Sequence, residues 1–204
     1  MNYYQKTEYD FESKYKTKGI GQFLINKFYS ELSHLISSLD QSNWNEVLEV
    51  GCGIGQSTSI IAPLLKPQIK FQATDVEERL IQTASLKNPS TPISYGDIYQ
   101  LQFATNSMDL VISLEVIEHL ENPQKALQNL KKITKKYVIL SVPREPIWCF
   151  LNMCRGKYLK NWGNTPGHIQ HFSKNAFIKF VSSEFKILEV KSPLPWTIIL
   201  AEKK

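Results

Sequence analysis

A glycine-rich segment, Glu49-Val50-Gly51-Cys52-Gly53-Ile54-Gly55-Gln56, stands directly between an apolar run and a helical pattern. Glycine lets the backbone turn tightly and approach a ligand closely, and the start of the following helix offers free N–H groups. A dinucleotide fingerprint would have glycine at the sixth position of GxGxxG, where this chain has Gln56. The segment therefore predicts a ligand-binding turn, and its spacing alone leaves the ligand open.

Three acidic residues narrow the choice of ligand. Glu49 comes just before the first glycine, where a carboxylate would repel a pyrophosphate and favour a cationic or amino-bearing group. Asp75 follows the second predicted strand, where a carboxylate can accept hydrogen bonds from both hydroxyls of a ribose. Asp97 follows the third, where it could accept a proton of an amine. These positions favour an amino-bearing ligand over a dinucleotide.

The elements that must position these residues alternate between strands and helices. Helical patterns, such as the stripe formed by Ala126, Leu127, Leu130 and Ile133 behind Pro123, separate the strands. The predicted strands lie near residues 47–50, 69–73, 93–95, 110–112 and 138–140, with a closing antiparallel hairpin at 185–190 and 197–201. This order predicts an α/β fold: a doubly wound, Rossmann-like, seven-stranded sheet, mostly parallel, with helices on both faces.

Two regions lie outside this alternation. The first is an amino-terminal arm with an amphipathic helix at residues 1–40, and the second is a long connection at 143–172. Long connections at the carboxyl ends of strands commonly form ligand lids. We therefore expect one domain over residues 1–204, with a lid helix in 1–40, a cofactor-binding core at 45–142, a substrate-lid insertion at 143–172, and a helix with the hairpin at 173–204.

Four motifs in order resemble the class I S-adenosylmethionine-dependent methyltransferases: VLEVGCGIG, ATD ending at Asp75, GDI at 96–98 and SMDLVISLEVIEHL. The resemblance implies that Glu49 lies near the methionine moiety, that Asp75 holds the ribose, and that Asp97 with Ile98 frames the adenine. It implies S-adenosylmethionine as the cofactor and S-adenosylhomocysteine as the product. The implied cofactor-binding residues are Glu49, Gly51, Cys52, Gly53, Gly55, Asp75, Val76, Asp97, Ile98, Leu114 and Glu115.

The sequence, chiefly the segment after the fourth predicted strand, disfavours two chemistries. Methyltransferases of this class that act on exocyclic amines of nucleobases carry an Asn/Asp-Pro-Pro-aromatic tetrapeptide there, whereas this chain has Ser113-Leu114-Glu115-Val116. Methylation of carbon 5 of a pyrimidine needs a nucleophilic cysteine, typically after proline, and the sequence contains no Pro-Cys pair.

A cluster of acids and histidines has two interpretations. If residues 115–119 are helical, Glu115, Glu118 and His119 share a face and, with His171, could hold a divalent metal. A related pattern occurs in the small-RNA 3′-end 2′-O-methyltransferases, and its first part in the quinone-biosynthesis O-methyltransferases. The favoured interpretation has no metal: Glu-x-x-Glu-His is also similar to many small-molecule enzymes of this class. The candidate catalytic residues are then His119, His168 and His171, as general bases, or as donors to loop backbone.

Composition narrows the cellular compartment and the kinds of partner that the sequence predicts. The chain carries 24 Lys+Arg against 19 Asp+Glu, a net charge of +5, and three cysteines without a CxxC pair. Such cysteine usage favours a reducing compartment, so we expect a cytoplasmic protein without membrane insertion, and no run approaches the ~18 apolar residues that span a bilayer. Arg155, Lys157 and Lys160 alternate with Tyr158 and Trp162, and these aromatics are expected to close a pocket over a substrate rather than to stack on nucleic acid.

The sequence therefore predicts a methyltransferase that transfers the methyl group of S-adenosylmethionine to an oxygen or nitrogen of a small-molecule acceptor. Two alternatives stay open. One is an RNA-modifying 2′-O-methyltransferase, with or without a metal. The other is a non-catalytic S-adenosylmethionine-binding module. The acceptor and the oligomeric state do not follow from the sequence.

Overall fold

The computed structural model describes residues 19–204, so residues 1–18 of the predicted amino-terminal arm lie outside the described residues. The chain divides into two compact units, the first ending at Gln102 and the second beginning at Phe103. In chain order the helices and strands are α1 (Ile20–Ser37), β1 (Glu46–Val50), α2 (Gln56–Ile61), β2 (Lys70–Asp75), α3 (Glu78–Lys87), β3 (Ile93–Tyr95), β4 (Met108–Leu114), α4 (Pro123–Ile133), β5 (Thr134–Pro143), α5 (Ile147–Cys154), α6 (Lys174–Ser182), β6 (Phe185–Lys191) and β7 (Trp196–Lys203).

The first unit contains three parallel strands in the order β3-β2-β1. Helix α1 is amphipathic, as predicted, and buries Ile25, Phe28, Leu32, Leu35 and Ile36. Helix α2 ends after six residues in a 3-10 turn, Ala62–Leu64, that contains Pro63. Proline cannot donate the backbone hydrogen bond that would continue the helix, which explains why the helix is short.

The second unit combines a parallel and an antiparallel part. Strand β5 pairs with β4 in parallel and with β7 antiparallel, and β6 completes the hairpin with β7. Helix α4 starts at Pro123 and buries the predicted stripe Ala126, Leu127, Leu130 and Ile133. Helix α6 begins after Ser173, whose hydroxyl oxygen accepts a hydrogen bond from Ala176 N, as expected of an N-cap.

The strands form a seven-stranded sheet in the order β3-β2-β1-β4-β5-β7-β6. It is mostly parallel and closes with the antiparallel carboxyl-terminal hairpin, which confirms the predicted Rossmann-like α/β class. Among residues 19–204, no helix is both long enough and apolar enough to cross a membrane.

Candidate active site

The glycine turn after β1 has the backbone that its sequence predicts. Gly51, Gly53 and Gly55 have φ angles of 79°, 55° and 76°, in the left-handed region that residues with a Cβ rarely adopt. The amides of Gly51 and Cys52 both donate to the carbonyl oxygen of Thr74, at 2.8 and 3.0 Å, and so tie the turn to β2. The turn is therefore held at the carboxyl ends of two neighbouring strands.

The third glycine of the turn also lies against helix α3. A Cβ at Gly55 would be 3.0 Å from the Cα of Ala84 and would collide with the Asn88 side-chain amide. That amide donates to the Gly55 carbonyl oxygen at 2.9 Å. Close packing and backbone conformation therefore both require glycine at this position.

Asp75 is the last residue of β2 and its carboxylate is fixed by two backbone amides. One oxygen, Oδ2, accepts from Gly53 N at 2.8 Å, and the other, Oδ1, accepts from Glu77 N at 3.0 Å. A carboxylate oxygen can accept more than one hydrogen bond, so both atoms keep acceptor capacity for a ligand. The structure thus holds a buried carboxylate rigidly beside the glycine turn.

Glu49 is buried in β1 and only 1% exposed. Its Oε2 accepts a hydrogen bond from the Thr58 hydroxyl at 2.6 Å, while Oε1 has no hydrogen-bond partner among residues 19–204. Burial raises the pKa of Glu49 from 4.5 to about 7, hydrogen bonds from Ser57 and Thr58 lower it in part, and the charge of Asp75 adds to the rise. A positively charged amino group beside this carboxyl would stabilise its ionised form and lower its pKa.

The remaining cofactor candidates of the first unit also lie at or beyond strand ends: Cys52 follows β1, Val76 follows β2, and Asp97 and Ile98 follow β3. The Asp97 carboxylate accepts from Tyr99 N at 2.8 Å, Ile98 is buried, and Val76 is 61% exposed. Cys52 is buried, and burial together with the charges of Glu49 and Asp75 raises the pKa of its thiol. The thiol therefore stays protonated, which excludes Cys52 as a nucleophile.

The second unit holds Leu114 and Glu115 at the carboxyl end of β4. Leu114 is buried, and Glu115 has a positive φ of 59°. The Glu115 carboxylate accepts from the Ser141 hydroxyl at 3.0 Å and from Trp196 Nε1 at 2.7 Å. The helix over residues 115–119 that the metal interpretation assumed does not form, since only Ile117–His119 form a 3-10 turn.

The predicted metal set, Glu115, Glu118, His119 and His171, is not brought together. The group whose potential ligand atoms lie within 4.8 Å of one another in the described chain is Glu118, His119 and His168. The Glu115 carboxylate instead bonds Ser141 and Trp196. The ring of His171 places Nδ1 3.7 Å from Glu145 Oε1. Glu118 and His119 of the conditional metal set therefore lie together with His168, whereas Glu115 and His171 contact other residues.

His119 and His168 form one aromatic cluster with Trp148. The two imidazole rings meet edge to face at 4.8 Å, and His168, which is buried, stacks on Trp148 at 5.8 Å. His119 Nδ1 lies 2.9 Å from the Gly167 carbonyl oxygen. Because a carbonyl oxygen only accepts, Nδ1 carries the proton in the neutral ring, and Nε2 is left with a lone pair, 4.0 Å from Glu118 Oε1.

Three residues that contact the candidate site residues of the second unit were not predicted from the sequence: Ser141, Glu145 and Trp196. Ser141 and Trp196 orient Glu115 from positions 26 and 81 residues away, a distance that no local pattern reveals. Glu145 lies two residues after the end of β5, much as Glu115 follows the end of β4, and this placement at a strand end could have indicated it. Glu145 also accepts from the Cys149 thiol at 3.3 Å, and burial with this contact raises the Cys149 pKa to about 11.

The comparisons with known proteins agree with this geometry. Residues 48–142 match the family model described as a methyltransferase domain. Ubiquinone biosynthesis O-methyltransferase of Rickettsia canadensis is 30% identical over 156 residues, which cover 74% of this chain and 60% of that protein. The namesake from Rickettsia felis is 31% identical over 157 residues, covering 74% of this chain and 58% of that protein. The chain thus spans about 60% of the length of these two curated relatives.

Among solved structures, magnesium protoporphyrin IX methyltransferase from Synechocystis PCC 6803, with bound S-adenosylhomocysteine, superimposes with a TM-score of 0.71 at 18% identity, covering 99% of this chain and 97% of that one. The strand order and this likeness define the Rossmann-like class I methyltransferase fold. Within that fold, residues 48–142 match the methyltransferase domain model, in agreement with the family that the sequence motifs indicated.

Proposed function

We propose that this chain transfers the methyl group of S-adenosylmethionine to a hydroxyl oxygen of a small-molecule acceptor. The observation that carries the proposal is the cradle at the carboxyl ends of β1 and β2. There, three glycines with positive φ bring the backbone close to the fixed Asp75 carboxylate and the buried Glu49. Ligands of open α/β sheets bind at these ends of the strands.

The residues present fit S-adenosylmethionine. Asp75 would accept hydrogen bonds from the ribose hydroxyls, because both of its oxygens keep acceptor capacity beside their backbone donors. Glu49 would face the amino group of the methionine moiety, since its Oε1 has acceptor capacity not used by residues 19–204. Asp97 and Ile98 would bind the adenine by a hydrogen bond and by apolar contact.

When bound, S-adenosylmethionine supplies an electrophilic methyl group on a sulfonium centre. The chain's own contribution is to align the acceptor, exclude water and take up the acceptor's proton. His119 suits the last role because the Gly167 carbonyl oxygen accepts from Nδ1–H and so sets the tautomer in which Nε2, 4.0 Å from Glu118 Oε1, is the basic nitrogen. His168 packs against that ring and orients it, and His171 with Glu145 is a second candidate base.

Oxygen rather than nitrogen is proposed as the methyl acceptor because the Rickettsia relatives are named as O-methyltransferases of ubiquinone biosynthesis. The insertion at 143–172 is proposed to select the acceptor, since it contributes Trp148 and His168 to the aromatic cluster around His119.

Cofactor binding is tested by calorimetry with S-adenosylmethionine and S-adenosylhomocysteine. We expect Asp75→Asn to weaken affinity at least tenfold, because one ribose hydrogen bond to a charged acceptor is lost. Asp40→Asn, at an acid in the loop after α1, is the matched control and keeps full affinity. The absence of binding to the unaltered chain, or equal affinity of both variants, refutes the cofactor site.

The acceptor is sought by incubating the chain with S-adenosylmethionine and a panel of hydroxylated small molecules, with mass spectrometry to detect the added methyl group. We expect His119→Gln to lower kcat about 100-fold or more and to remove the acidic limb of the pH profile, where protonation inactivates the base, with a smaller effect on KM. His34→Gln, in the exposed part of α1, is the control. An unchanged profile in His119→Gln removes the proton-acceptor role.

One observation favours a metal-assisted form of the reaction, namely the juxtaposition of Glu118, His119 and His168. Carboxylate and imidazole ligands suit zinc or manganese, which would lower the pKa of an acceptor hydroxyl. Elemental analysis after dialysis against Mn²⁺ or Zn²⁺ would find about one ion per chain, and none in Glu118→Gln. Full turnover after chelation, with no bound ion, rejects this form.

A further inference from the structure

The insertion contains a compact lobe, residues 147–163, that we call the insertion lobe. It consists of α5, the loop after it and the 3-10 turn Leu159–Asn161. Lys157 N donates to the Asn152 carbonyl, and Asn152 Nδ2 donates to the Gly163 carbonyl, each at 2.9 Å. A Cβ at Gly163 would collide with the backbone of Cys149. The loop is thus packed directly on α5.

Three large apolar side chains of this lobe lie outside its packing. Phe150 and Leu159 are each 60% exposed and Trp162 is 82% exposed. Trp162 also has a φ of 52°, an unfavourable conformation for a residue with a Cβ. The lobe therefore exposes apolar side chains to water, which is unfavourable in free energy, and packing within the lobe does not bury them.

The same lobe is uniformly basic. Arg155, Lys157 and Lys160 are exposed. Between Glu145 and Glu184 the sequence contains no Asp or Glu, whereas residues 146–183 contain five basic residues: Arg155, Lys157, Lys160, Lys174 and Lys179. These five charges equal the net charge of +5 of the whole chain. Three of the five, Arg155, Lys157 and Lys160, lie within the lobe that carries the exposed apolar residues, and no acidic residue of the lobe offsets them.

We propose that the insertion lobe docks on the surface of a phospholipid bilayer that contains anionic lipid. Aromatic and aliphatic side chains enter the interface between headgroups and acyl chains, and neighbouring Lys and Arg side chains contact lipid phosphates. The pairing matters because stable attachment at a membrane surface needs two contributions, apolar and electrostatic. The lobe supplies both within 17 residues and does not span the bilayer.

Nucleic acid fits the same surface less well. Bases stack on aromatic faces, which Trp162 could offer, but the exposed aliphatic side chain of Leu159 has no base to stack on. Basic side chains would bind the phosphates of nucleic acid and of anionic lipid alike, so the apolar residues distinguish the two partners. Two of the three exposed apolar side chains are aromatic, and all three suit a lipid interface.

The test is co-sedimentation of the full chain with vesicles of phosphatidylcholine alone and of phosphatidylcholine with about a third phosphatidylglycerol. We expect binding to the anionic vesicles only, weakening as NaCl is raised. Lys157→Gln and Lys160→Gln should each weaken binding about fivefold, and Trp162→Ser about tenfold. Lys87→Gln and Leu86→Ser are matched controls, because both residues are exposed on α3, outside the lobe.

Tryptophan fluorescence adds a readout that a folding defect would not imitate. Trp44 and Trp196 are buried and Trp148 is half-buried against His168 and Trp196, so a blue shift on addition of vesicles reports mainly on the exposed Trp162. Trp162→Phe should keep vesicle binding and lose most of the shift. Equal binding to both vesicle types, loss of binding in the controls, or binding of a 20-nucleotide RNA but not of vesicles overturns the proposal.

Discussion

Replacing Glu49 by glutamine changes how the stability of this protein depends on pH. The Glu49 carboxyl is 1% exposed, and burial raises its pKa from 4.5 to about 7, with Asp75 contributing. Between these two pH values the folded chain keeps the proton and the unfolded chain releases it. The free energy of unfolding therefore falls as pH rises, and the loss is complete above the folded-state pKa.

The difference between 4.5 and about 7 corresponds to a loss of about 3 kcal/mol, most of it between pH 5 and 8. Glutamine resembles the protonated acid in shape, and its carbonyl oxygen can accept the hydrogen bond that the Thr58 hydroxyl now donates to Oε2. It does not ionise. We therefore expect Glu49→Gln to gain stability relative to the unaltered chain as pH rises, by about 3 kcal/mol.

Urea unfolding, followed by circular dichroism at pH 5, 6, 7 and 8 without ligand, measures this difference directly. Glu46→Gln, at the partly exposed first residue of the same strand, is the control and should follow the unaltered chain at every pH. Parallel pH curves for Glu49→Gln and the unaltered chain would refute the argument from burial. In the same variant, weaker binding of S-adenosylmethionine would fit the proposed contact to its amino group.

Three further predictions concern contacts within one or the other of the two units. Gly55→Ala should cost about 3 kcal/mol of stability, because a Cβ there is strained and collides with α3, whereas Gly156→Ala, with a positive φ but open space, should cost about 1 kcal/mol in urea unfolding. Trp196→Phe should cost about 1–2 kcal/mol, because the Glu115 carboxylate loses its indole donor; an unchanged unfolding midpoint would show that contact to be unimportant. Ser173→Ala should cost about 1 kcal/mol by removing the α6 cap, and a loss below 0.3 kcal/mol, roughly the error of such measurements, would contradict that role.

Local features of the candidate site could be predicted because they depend on neighbouring residues. The turn formed by Gly51, Gly53 and Gly55 follows from the conformational freedom of glycine between a strand and a helix. The N-cap at Ser173 is equally local. Asp75 comes to the turn because adjacent parallel strands end at the same edge of the sheet.

The histidine and glutamate cluster could not be predicted in detail, since it depends on loops. Residue types and spacing at His168 and His171 do not show which of the two approaches His119. The backbone turns at Gly167, with a φ of 92°, and the amides of Ile169 and Gln170 both donate to the Glu118 carbonyl oxygen. His168 is brought to His119 by these contacts.

The sequence by itself determined the strand and helix order, the ligand turn and the acids at the strand ends, because apolar periodicity and backbone preference act over a few residues. Tertiary structure alone decided where the Glu115 carboxylate is bound, since Trp196 meets it across 81 residues. It also decided that Trp148 packs on His168 while Trp162, in the same basic segment, stays 82% exposed. The burial of a side chain depends on contacts with segments far apart in the chain. Local residue types and spacing do not reveal these contacts.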